Sequence, residues 1–228
     1  MNDEPVKDDW AARLPAGLLP HVAPLIAGHR VTVRLSRPRR SKLGDHRPPG
    51  RGIRHHRITV NENLNPYAFL TTLLHEIAHV TTWEKLRFRV RRYPPHGREW
   101  KREFAKILEP AVAGGMLPDD ITAALAAYMQ NPAAASCSDR GLMLALARYD
   151  RGTDDRPRLE ELEAGAVFRV DNGLVFRLHR RLRSRYQCYE LSSGREYRVH
   201  GLCRVDPVLE PPRGPRRKVG QASACRRS

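Results

Sequence analysis

Asn65-Pro66-Tyr67-Ala68-Phe69-Leu70-Thr71-Thr72-Leu73-Leu74-His75-Glu76-Ile77-Ala78-His79 is the stretch on which the fold turns. Asn is a good helix N-cap, and Pro is tolerated at the first helical position, where its missing N–H would have gone unpaired. Phe69, Leu70, Leu73, Leu74 and Ile77 follow at helical spacing, so the segment predicts a helix with one face in the core. His75 and His79, four apart, share a face of that helix, and both imidazoles can reach one metal ion. Glu76 follows the first ligand and can hold a water at the metal instead of ligating. A chain with these counts of His and Glu carries H-E-x-x-H by chance roughly 0.025 times. That rarity, on a well-capped helix, outweighs the alternative of two histidines on a solvated face.

A catalytic zinc ion takes three protein ligands and keeps one position open. The candidates downstream are His96, His179 and His200. His96 fits best, because it follows Pro94-Pro95 and precedes Gly97, which lets the backbone approach closely. It also opens a second helix marked by Trp100, Phe104, Ile107 and Leu108 on one face.

Outward from these helices the chain sorts into elements. Val31, Val33 and Leu35 alternate with Thr32 and Arg34, the pattern of a half-buried strand, and Arg57-Ile58-Thr59-Val60 predicts another. Between them, 36–56 is basic and bears Pro and Gly. Residues 83–95 read as an irregular or strand-like connection, and an Ala-rich helix is expected over 119–129. Beyond the acidic residues 154–163 the texture changes. Residues 167–170, the turn Asp171-Asn172-Gly173 and residues 174–178 predict a hairpin, and 186–191 with 196–205 a second. The fold class expected is α+β: a segment over 1–29, a helical core with a short sheet over 30–160, a small antiparallel β module over 161–210, and a disordered basic tail over 211–228.

The net charge is +16, and it is unevenly placed. Residues 31–60 hold nine basic side chains and one acid, and 211–228 hold six and none. Arg37, Arg39, Arg40, Lys42, Arg87, Arg89, Arg91, Arg180 and Arg181 are therefore candidates for phosphate contact, with single-stranded DNA the favoured partner. Against this stands a count of 35 Arg to 6 Lys, a skew that a GC-rich genome produces without any ligand. Arg87, Arg89 and Arg91 either rim a cleft and meet DNA or form a solvated edge. No run of about 18 apolar residues exists to span a membrane, and the acidic start with Pro20 and Pro24 argues against a signal peptide. The expected location is the cytoplasm, at the nucleoid in a prokaryote. Cys137, Cys188, Cys203 and Cys225 lack paired spacing and are expected as reduced thiols.

Taken together, Ser41-Lys42-Leu43-Gly44-Asp45, His56-Arg57-Ile58-Thr59-Val60-Asn61, Leu64-Asn65-Pro66-Tyr67, the H-E-x-x-H helix and His96-Gly97-Arg98-Glu99-Trp100 resemble the SprT-like domain. Residues 137–149 are similar to that domain's trailing portion. The resemblance implies a zincin-like metallopeptidase with one zinc ion per chain on His75, His79 and His96, and Glu76 as general base. Its best-known members, the Spartan-type proteases, cleave proteins crosslinked to DNA. The family often carries a C-terminal zinc ribbon with two Cys-x-x-Cys knuckles. Here Cys188 and Cys203 each stand alone, and two thiolates cannot close a tetrahedral site. The module is therefore expected to be a metal-free relic held by apolar strand faces.

The ligand set sets the expected chemistry: zinc polarises the scissile carbonyl and acidifies water, while Glu76 takes the proton and delivers it to the leaving amine. Two other readings share the same ligands. One is a zinc-bearing nucleic-acid-binding or adaptor protein with little turnover. The other, ranked last because a long basic connection does not suit it, is hydrolysis of a small amide or ester.

Overall fold

A computed structural model describes residues 9–39, 42–50, 52–88, 93–130, 139–152 and 154–209. Among these the fold is α+β, with five α-helices and two sheets. The chain divides into two compact units, Met1–Gly152 and Thr153–Ser228.

The first unit runs α1 (Leu19–Gly28), β1 (Val31–Ser36), β2 (Gly44–Arg47), β3 (His56–Asn61), α2 (Pro66–Leu86), α3 (Arg98–Ala113), α4 (Asp119–Gln130) and α5 (Arg140–Ala147). Its sheet has the order β1-β3-β2, with β1 parallel and β2 antiparallel to β3. Val31, Val33, Ile58 and Val60 are buried from β1 and β3. α2 starts as the sequence predicts: Asn65 Oδ1 accepts the N–H groups of Tyr67 and Ala68 at 3.1 and 2.9 Å. The same side chain donates to the Leu146 carbonyl at 2.9 Å, tying this cap to the end of α5. Phe69, Leu70, Leu73, Leu74 and Ile77 are fully buried, but so are Ala78 and Val80, because α2 is enclosed on nearly every side. α3 buries Trp100, Phe104, Ile107 and Leu108, the face read from the sequence.

Three elements and one boundary differ from expectation. α2 continues through Trp83 to Leu86, where an irregular or strand-like connection was expected, and Trp83 joins the helix–sheet interface. α1 forms with two prolines: Pro20 sits in its first turn, where no intrahelical donor is lost, whereas Pro24 lies inside the helix and removes one. β2 lies within the basic 36–56 stretch, and α5 follows Asp139, whose carboxylate caps it by accepting the Leu142 N–H at 2.8 Å. Among the described residues, no helix is long and apolar enough to cross a membrane.

The second unit holds β4 (Val167–Arg169), β5 (Val175–Arg181), β6 (Arg185–Glu190), β7 (Glu196–His200) and β8 (Asp206–Pro207) in one antiparallel sheet of order β7-β6-β5-β4-β8. Gly173 turns the first hairpin at φ +83°, a left-handed conformation that favours glycine. The core is Leu159, Phe168, Phe176, Leu178, Cys188 and Val205. The division falls before residue 160 because 157–160 is laced to the end of this unit. Leu159 N–H donates to the Cys203 carbonyl, Glu160 N–H to Gly201 and Val205 N–H to Pro157. The tail over 211–228, Cys137 and Cys225 lie outside the described residues.

Candidate metal centre

One helical turn separates His75 from His79, and the buried length of α2 fixes both. His96 arrives from the other side, on a turn closed by the Gly97 N–H bonding to the Pro94 carbonyl at 3.0 Å. The three side chains converge. His96 Nε2 lies 3.2 Å from His75 Nε2 and 3.1 Å from His79 Nε2. Donors on a tetrahedral ion at about 2.0–2.1 Å stand about 3.3 Å apart, so this spacing fits a single small cation. Among the described residues it is the one His/Cys/Asp/Glu trio drawn together in this way.

The surroundings favour ligation over protonation. Burial pushes His75 and His79 down to about 3, with the neighbouring imidazoles adding to it, and burial lowers His96 as well. At neutral pH all three rings therefore present lone pairs. Trp100 forms the floor, its ring 4.6, 5.4 and 4.8 Å from those of His75, His79 and His96, and Phe104 stacks on it at 5.0 Å. His75 Nδ1 is sealed from solvent and has no hydrogen-bond partner.

Glu76 is 7% exposed and faces β2. A Cβ on Gly44 would stand 2.8 Å from Thr72 Cγ2 and 3.0 Å from Glu76 Oε1, so the strand passes α2 at a distance only glycine allows. The His46 backbone N–H is turned toward the Glu76 carboxyl. Burial pushes that carboxyl up to about 8, and the Asp45 charge adds to it; Arg39, Lys42 and the His46 N–H oppose. A carboxylate so placed is suited to proton transfer near neutrality.

Asp45 anchors this edge of the sheet. It receives Arg39, Lys42 at 3.0 Å, Arg47 at 3.3 Å and the Thr59 hydroxyl at 2.7 Å. Burial raises its pKa, but these donors outweigh that and hold it well below the usual carboxylate range. Gly44 and Asp45 enter the sequence pattern only within the run Ser41–Asp45 that resembles the SprT-like domain, and nothing in that pattern marks His46.

The candidate phosphate-binding residues scatter. Arg37 is exposed, whereas Arg39 is occupied by Asp45 and by Asn61 Oδ1 at 2.9 Å. Arg87 is exposed, its guanidinium over the rings of Trp83 and Phe88 at 4.8 and 4.4 Å. Arg181 is exposed on β5, and Arg180 is exposed with its Nε donating to Gln187 at 2.8 Å. Arg40, Arg89 and Arg91 lie outside the described residues. His179 and His200, the alternative third ligands, both belong to the second unit. There Cys188 is a buried core thiol, pushed up to about 11 by burial. No family model, curated protein or solved structure matches this chain.

Proposed function

We propose that the chain is a zinc-dependent endopeptidase that acts on proteins bound or crosslinked to DNA. One observation carries the reading: His96 Nε2 stands 3.1–3.2 Å from both His75 Nε2 and His79 Nε2, with the buried carboxyl of Glu76 next in the helix. His75, His79 and His96 would hold the ion, and three imidazoles suit zinc. When bound, it supplies Lewis acidity that polarises a carbonyl and acidifies water.

The chain's own residues do the rest. Glu76 takes a proton from the attacking water and returns it to the leaving amine. The close pass of Gly44 holds that carboxylate in place, and Trp100 with Phe104 keeps the ligand side dry. A site that only cross-links structure has no use for a buried base beside its ligands, which supports hydrolysis over a purely structural role. The mixed sheet with β2 at its edge, over the helix bearing H-E-x-x-H, supports a zincin-like core and the SprT-like resemblance. The exposed arginines of β5 and β6 support DNA as the setting.

The test is cleavage of a DNA-binding protein by wild type and Glu76→Gln, with and without single-stranded DNA, and with zinc measured in both. Cleavage by wild type alone, raised by DNA, is the expected result. Zinc and DNA bound without cleavage by either protein would overturn the peptidase and leave the adaptor.

A further inference from the structure

A second carboxylate, Glu84, stands eight residues beyond Glu76 on α2, about 12 Å along its axis at 1.5 Å per residue. Two imidazoles of the sheet lie between them. Gly44 faces α2, so His46, two residues on, faces it too, and His56 comes from the neighbouring strand. His46 Nε2 is 2.8 Å from His56 Nδ1, with the rings stacked at 5.0 Å. His56 Nε2 is 3.4 Å from Glu84 Oε1, and His29 Nδ1 holds the other oxygen, Oε2, at 2.6 Å. His56 is 3% exposed, and Trp83 meets it edge-on at 5.1 Å.

The carboxylate dictates the order of protons. It can only accept, whereas a neutral imidazole donates from one nitrogen and accepts at the other. Burial lowers His56, and burial with the adjacent His56 ring lowers His46 to about 4, so both are neutral at pH 7. The His56 proton therefore sits on Nε2, toward Glu84, and its Nδ1 is bare. His46 must then donate from Nε2, which leaves its own Nδ1 bare. The opposite tautomers would set a lone pair of His56 against the carboxylate oxygen. Among the described residues the hydrogen bond of the His46 ring runs through Nε2 to His56, not through Nδ1. Gly44, two residues back on the same strand face, meets Glu76, and His56 meets Trp83, so His46 stands along the intervening turn of α2, which carries His79.

We infer that Glu84 and His56 are positioning residues that fix His46 as a hydrogen-bond acceptor on the wall of the metal centre, where Nδ1 takes a backbone N–H of the bound peptide. The role in peptide binding rests on the endopeptidase reading; the proton order does not.

The test is long-range ¹H–¹⁵N correlation on the zinc-loaded full chain at pH 7, with steady-state cleavage measured alongside. In wild type, His46 and His56 should both appear as Nε2–H tautomers. Glu84→Gln, whose amide can also donate, should turn His56 into a mixture and release His46. It should also raise KM roughly three- to tenfold, the worth of one hydrogen bond, with zinc content unchanged. An Nδ1–H on His46 in wild type overturns the inference, and this holds even if the variant fails to fold. So does a Glu84→Gln spectrum identical to wild type. If no peptide is cleaved but the tautomers respond as described, the proton order stands and the endopeptidase reading falls.

Discussion

Two arginine-rich regions of this chain look alike in sequence and differ in what their charge does. Around β2, Arg39, Lys42 and Arg47 all converge on Asp45, and Arg39 also reaches Asn61 and the Thr59 carbonyl. On the β5–β6 hairpin, Arg177, Arg181, Arg183 and Arg185 are exposed, with no carboxylate partner among the described residues. Strand register makes the difference. In the first region an acid lies within the ladder, Asp45 opposite Thr59. In the second, Arg177, Arg180 and Arg181 stand opposite Tyr189, Gln187 and Tyr186. The same residue type is thus a brace in one place and an unneutralised cation in the other. A net charge of +16 is not one footprint.

The strongest way to isolate the first region is to remove the metal ligand that comes from outside α2. His96→Ala should weaken zinc binding by more than roughly 100-fold, since even the loss of partners behind a ligand costs 10–100-fold. Competition against a chromogenic chelator measures it, and unchanged affinity would refute the three-histidine centre. Next, Arg39→Ala should destabilise the first unit by about 1–3 kcal/mol, because it strips Asp45 and the buried Asn61 of a half-buried donor. Arg181→Ala should stay within about 0.5 kcal/mol. Urea unfolding measures both, followed by tryptophan fluorescence for the first unit, which holds Trp10, Trp83 and Trp100, and by far-ultraviolet circular dichroism for the second. In DNA binding the two should trade places, with Arg181→Ala lowering the salt slope by about 1 and Arg39→Ala leaving it unchanged. If both variants behave alike in both assays, the comparison is wrong.

Gly44→Ala should cost about 1–3 kcal/mol by forcing β2 off Thr72 and Glu76, and cleavage should fall with it. Wild-type activity in this variant would mean the strand does not position Glu76. The smallest effect concerns acid. The Asp45 pKa lies below its unfolded value of about 3.9, so its contribution is complete above that value and fades as pH falls through it. The stability gap between wild type and Asp45→Asn should therefore be constant from pH 7 to 5 and narrow below about pH 4. A gap still flat at pH 2.5 would exclude this account of Asp45.

The helices that carry the metal ligands were legible because their signals are local. Asn65-Pro66 caps α2, and the apolar spacing around His75 and Trp100 marks α2 and α3. The meeting of His96 with His75 and His79 was legible only as chemistry, since the spacing of His96 from the motif fixes no distance. β2 was not legible at all. Gly44-Asp45-His46-Arg47 has no apolar residue and no alternation; it is a strand because β3 offers it a ladder and Asp45 gathers the donors around it. α1 was hidden by its prolines, whose harm depends on their position in a helix that sequence does not mark. The His46–His56–Glu84–His29 chain draws on four segments and shows no spacing rule.

The enclosure of α2 has a consequence for motion. His75 and His79 stand within the stretch 68–82 of α2, where every residue but His79 is buried, so their amides should exchange with solvent water only when the first unit opens globally. His96 sits on a short turn ahead of α3, where local opening is far less costly. The trio can therefore come apart from one side. An ion held there would leave as His96 swings away, and deuterium uptake in the zinc-free chain should rise first at the amides of His96 and Gly97, with the H-E-x-x-H helix still protected.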